Sequence, residues 1–153
     1  MSTPTIGYED DTTLSRSEIA RVQLVEAVAL FVTEKFLPAL TLAGAAEEIL
    51  GKLLVRQSQQ PVIKESMQAI TQLRVTTGLS VMGNKPEREV VAGWNSVRNA
   101  AKHLGENDID PVTLNLCDEA YWMIRRALEN AKKLGLAVEN QVDFENWFII
   151  NCT

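Results

Sequence analysis

VTLNLCDEAYWMIRRALENAKKL, residues 112–134, carries the strongest periodic signal in the chain. Leu114, Cys117, Tyr121, Ile124, Leu128 and Ala131 recur at alternating spacings of three and four, flanked by Ala120, Ala127 and Leu134. That spacing puts one apolar seam along a helix for nearly three heptads. Gly135 follows where a helix-ending glycine belongs, and Asp110-Pro111 reads as a cap with a first-turn proline before it. A helix this long and one-sided needs partners of the same kind, and the rest of the chain supplies them.

Ser15-Arg16-Ser17-Glu18 fits a capping box, in which the Ser15 hydroxyl accepts an N–H at Glu18 and the Glu18 carboxylate reaches back. It predicts a first helix over about 17–34, with Ile19, Val22, Val25, Val28, Ala29 and Val32 as its apolar face. Pro38 opens a second helix to Arg56 with a wide stripe of Leu40, Ala43, Ala46, Ile49, Leu50, Leu53 and Leu54. Its low-bulk run Ala43-Gly44-Ala45-Ala46 marks a close crossing point. A third helix is expected over 61–74, a loop over 75–85, a fourth helix from Pro86 to Leu104, and a short last helix over 142–150. The fold class expected is therefore all-α: an antiparallel bundle of four to five main helices plus a short C-terminal helix, with residues 1–14 as a loose arm and 15–153 as one domain.

Composition agrees. The 153 residues are 46% hydrophobic and 23% charged, with only 8 Gly and 5 Pro, too little turn punctuation for a β-sandwich. No apolar run reaches the ~18 residues of a membrane span. The opening MSTPTIGYEDD is acidic and unlike a signal peptide, and two cysteines suggest no disulfide framework, so a cytoplasmic location without membrane contact is expected. The net charge of −5 gives no global polyanion footprint. Residues 85–103 reverse it locally: Lys85, Arg88, Arg98 and Lys102 against Glu87 and Glu89 leave +2.

That basic stretch holds the only histidine, His103. Asn95, Asn99 and His103, four residues apart, form one polar stripe, and Arg98 and Lys102 form a cationic stripe beside it. Arg98 and His103 point about 140° apart on an ideal helix, so one copy converges them only if the helix frays near Gly105. A second copy packed against the first is the other route. Histidine, arginine and asparagine without acidic metal ligands suit phosphodiester transfer within RNA. The 2′-OH is a built-in nucleophile, an imidazole moves its proton, and a guanidinium stabilises the phosphate's developing charge. The plain alternative is a cationic last helical turn that suits the helix dipole.

The hexapeptide Arg98-Asn99-Ala100-Ala101-Lys102-His103 resembles the signature of the HEPN family (higher eukaryotes and prokaryotes nucleotide-binding domains), an Arg followed four to six residues later by His, often with a polar residue after the Arg. AGAAEEILGKLL, residues 43–54, looks like the second helix of such proteins, and the likeness covers most of 15–135. The resemblance implies a helical bundle that dimerises with both motifs facing one cleft. It also implies metal-independent endoribonuclease activity in many members, often toxins held by an antitoxin protein or phage-defence effectors, and nucleotide or RNA binding or dimerisation without cleavage in others. Carried over, it makes Arg98, Asn99 and His103 catalytic and Lys102 and Asn95 substrate-binding, with no metal and no cofactor. One departure is Gly105, where toxins paired with minimal nucleotidyltransferase antitoxins usually carry a tyrosine.

Other candidates carry less. Glu47-Glu48 suggests a di-metal bundle, but such sites need Glu-x-x-His on two helices and one histidine cannot supply them. A solvated acidic face, or a pairing of Glu47 with Arg98 or Lys102 inside the bundle, is the alternative. Gly51-Lys52 lacks the preceding glycine and strand of a phosphate loop. Cys117 is expected in the core and Cys152 to be incidental. Trp94, Trp122 and Trp147 are either stacking surfaces for bases or buried packing, and Trp122 is placed to face a partner subunit. A structural helical adaptor remains a third functional class.

Overall fold

The computed structural model describes residues 4–152 and is all-helical, with no strand among them. The helices are α1 (Arg16–Val32), α2 (Phe36–Arg56), α3 (Val62–Thr77), α4 (Glu87–Ala100), α5 (Leu116–Lys133) and the short C-terminal α6 (Gln141–Asn151). A 3-10 turn, Val81–Asn84, joins α3 to α4. No described helix is long and apolar enough to cross a membrane.

The core is a layer in which α2 packs against both α1 and α5, with α6 closing one end. From α1 it takes Ala20, Leu24, Ala27, Val28 and Phe31, and from α2 Leu40, Ala43, Ala46 and Leu50. The α5 seam contributes Ile124, Leu128 and Ala131, as its spacing predicts, while Cys117 and Tyr121 are only half-buried. Phe31 is fully buried among Phe36, Phe144 and Trp147, with ring centroids at 5.1, 5.3 and 4.7 Å. The expected face of α1 is corrected: Val22 and Ala29 are exposed. IARVQLVEAVALFV is apolar on nearly every side, so two different stripes satisfy helical spacing and only the partners choose between them.

Helix ends show the same limit. Ser15 Oγ accepts from Glu18 N–H at 3.1 Å, but the reciprocal half of the capping box is absent. Glu18 instead binds Arg21, which also reaches Glu139 and ties α1 to the α5–α6 connection. α1, α2 and α5 all close with a left-handed residue that lets two N–H groups satisfy orphan carbonyls. In α5 it is Gly135 (φ 72°), with Leu136 N–H donating to Ala131 O. In α1 and α2 it is Glu34 (φ 61°) and Ser58 (φ 57°), so α1 stops at Val32.

α4 is shorter than expected. It ends at Ala100, and His103 lies beyond it in a turn, its N–H donating to Asn99 O at 2.9 Å. α5 is also corrected. Asp110-Pro111 do not cap it; the cap is Asn115, whose Oδ1 accepts from Asp118 N–H at 3.1 Å. Asp118 and Glu119 then complement the dipole in the first turn.

α3 and α4 form a flank outside the core layer. Ile63 and Met67 are the only buried residues of α3, and Val90 the only one of α4. The flank is moored by polar ties. Val62 N–H donates to Oδ1 of the fully buried Asn130 at 3.0 Å, and Lys133 binds Gln60 O at 2.8 Å and the Glu65 carboxylate.

Candidate ligand site

Helical periodicity divides the motif residues of α4 between two environments. Arg98 turns inward onto α2 at Gly44, where a Cβ would sit 2.5 Å from Arg98 Cγ. The low-bulk run therefore admits an arginine side chain at its glycine. Past Gly44 the guanidinium meets Glu47, whose Oε2 accepts from Nη1 at 2.9 Å, with the two side chains only 11% and 5% exposed. Glu47 Oε1 also lies 3.1 Å from Arg126 Nε of α5, and Arg126 Nη2 donates to Asn95 Oδ1 at 2.7 Å. Two guanidinia thus share one buried carboxylate, leaving a surplus positive charge inside the fold. Burial pushes Arg126 below its ordinary value, opposed by the field of Glu47. Arg98 Nε is buried without a hydrogen-bond partner.

Glu48 faces outward and binds Lys52 at 3.0 Å and Lys102 at 3.7 Å. The Lys52 hydrogen bond holds its carboxyl below the ordinary value. Glu47 and Glu48 are therefore partners of cations. Among the described residues no group of three His, Cys, Asp or Glu side chains is placed to hold a metal ion.

Asn99 and His103 are exposed and line one cavity of about 520 Å³ with Ser96, Leu104, Asp108 and Asp110. Asp108 Oδ2 accepts from Gly105 N–H at 2.6 Å, which folds the loop beneath His103 back on itself. The structure thus brings His103 and Asn99 together and keeps Arg98 and Asn95 apart from them, in the interior network. The early end of α4 frees His103 from the helix without turning Arg98 toward it.

The tryptophans also divide. Trp147 belongs to the aromatic cluster around Phe31, whereas Trp94 and Trp122 line a second cavity of about 460 Å³ between α3, α4 and α5. Trp122 is 66% exposed there, above Ile63, Met123 and Arg126. The sequence does not announce this cleft. Its one legible trace is Glu119, Trp122, Arg126 and Glu129 at spacings of three and four, off the apolar seam of α5.

No family model, no curated protein and no solved structure matches the chain.

Proposed function

We propose that the chain is a HEPN-like module that takes RNA or a nucleotide at the Asn99–His103 cavity and works as a homodimer. In this reading Arg98 fixes the pose of α4 and is not the phosphate clamp. The supporting observation is the split within one helix: Arg98 is committed to Glu47, while Asn99 and His103 remain open. The cavity falls within the ~300–1,000 Å³ of small-ligand sites. An imidazole and an amide offer donors and acceptors to sugar, base or phosphate, and the indoles of Trp94 and Trp122 offer stacking surface to single-stranded bases. Fluorescence anisotropy with labelled single-stranded RNA tests it, alongside light scattering for the dimer. Binding should weaken in His103→Ala and Asn99→Ala while both variants keep their helical circular dichroism. Equal affinity in all three proteins would remove the cavity from consideration.

A second reading, metal-independent RNA cleavage as a toxin or defence effector with an antitoxin partner, is favoured by the exposure of the His103 imidazole. An imidazole open to solvent can serve as proton acceptor or donor toward a 2′-OH. The phosphate then needs a cation, and Lys102, tied to Glu48 only at 3.7 Å, is adjacent in sequence. Cleavage that persists in chelator and disappears in His103→Ala is the expected result. RNA left intact by the wild-type protein under those conditions returns the argument to binding alone.

A further inference from the structure

Side-chain contacts between α5 and α6 fall in antiparallel order. Arg125 Nη1 stands 4.0 Å from Glu145 Oε1. One turn back along α5 and one turn forward along α6, Tyr121 stacks on Phe148 with centroids 5.1 Å apart and planes at 28°. The next step in the same register reaches Cys117, in the first turn of α5, and Cys152, the residue that caps α6. Both are free thiols, Cys117 half-buried and Cys152 exposed. Burial pushes the Cys117 thiol up, and the fields of Asp118, Cys152 and Glu34 push the same way.

We propose that Cys117 and Cys152 are a dithiol pair that closes to an intramolecular disulfide on exchange with a low-molecular-weight disulfide such as oxidised glutathione, stapling the end of α6 to the start of α5. The exposed Cys152 reacts first. Its thiolate attacks one glutathione sulfur, forming a mixed disulfide and expelling a glutathione thiolate that takes a proton from water. Cys117, its proton passed to water, then attacks the Cys152 sulfur and expels the second glutathione. Two protein thiols and one oxidised glutathione become one protein disulfide and two reduced glutathiones, with two electrons leaving the protein. Bridged cysteines need Cα atoms about 4.4–6.8 Å apart. The last turn of α6 supplies the freedom to reach that spacing, because Cys152 sits at its end with one backbone bond, to Phe148 O at 2.9 Å. The staple locks down the helix that carries Phe144 and Trp147 into the Phe31 cluster, and closing a chain loop adds stability.

The test is intact-mass analysis of the folded protein after incubation with oxidised glutathione, with and without alkylation of remaining thiols. Wild type should become lighter by two hydrogens, resist alkylation, stay unlinked to other chains on a non-reducing gel, and melt at a higher temperature than its reduced form. Cys117→Ser should instead accumulate a lasting glutathione adduct on Cys152. Wild type that carries a lasting adduct on either cysteine, or that links only between chains, overturns the proposal. Because the wild-type protein gives the decisive reading, a poorly folding variant does not blunt it.

Discussion

The core layer and the flank are built on different physics. α1, α2 and α5 bury apolar residues on almost every turn, whereas α3 and α4 together bury only Ile63, Met67 and Val90 and leave Leu73 and Val75 exposed. The core is held by area removed from water, which is non-directional and forgiving. The flank is held by a few directional contacts: Arg98 to Glu47, Arg126 to Asn95, Val62 to Asn130 and Lys133 to Glu65. Such contacts fix a pose more than they add stability, since a buried ion pair gains little over apolar packing yet is costly to break from one side. Both candidate cavities take residues from the flank, so the sites rest on the less cohesive half of the molecule.

The sharpest way to probe the difference is to damage each half in turn. Phe31→Ala removes the ring at the centre of the aromatic cluster and should cost about 3–5 kcal/mol in chemical denaturation, lowering protection in α1, α2 and α5 together. Glu47→Gln leaves two buried guanidinia without their anion and should cost about 3 kcal/mol. Its signature is local: amide exchange should accelerate in α4 well beyond α1, and a uniform rise would erase the distinction between halves. Asn130→Ala strips the acceptor from Val62 N–H at the start of α3 and should cost about 1–3 kcal/mol, with exchange rising first at 62–66.

Smaller effects belong to the edges. Ser15→Ala should cost about 1 kcal/mol and fray the start of α1. Hydrogen bonds from Arg21 and Lys52 hold Glu18 and Glu48 below the ordinary 4.5, and Glu139 is lowered by its own backbone N–H and then by Arg21. Their folded values are depressed, so this stability is fully present above pH 4.5 and is lost as the pH falls through those lower values. Melting temperatures should be flat from pH 7 to 5 and decline below 4.5. A decline that begins near neutrality would point to other groups.

The sequence makes the all-helical class and the α5 seam legible because amphipathic spacing and Gly135 are local signals. It conceals the face of α1, where Ala20, Leu24 and Phe31 compete with an equally regular stripe. It conceals the end of α1, which falls at Val32 and not at Glu34, because Glu34 occupies a conformation usually assigned to glycine, whereas α2 ends at Arg56 as its pattern predicts. The candidate site is legible in parts. Asn99 and His103 do share a cavity, and Arg98 does take Glu47, one of the pairings the residues offer, but the slot at Gly44 and the second cation, Arg126, are linked to the motif by no spacing.

Gly44 has one more consequence. Because the slot it leaves is filled by the stem of Arg98, the volumes at 44 and 98 trade against each other. A methyl group at 44 evicts the arginine and strands Glu47 with Arg126 alone. A shortened side chain at 98 makes that same methyl group welcome, turning a damaging change into a compensating one, so homologous chains that carry alanine or serine at 44 should have given up the arginine at 98.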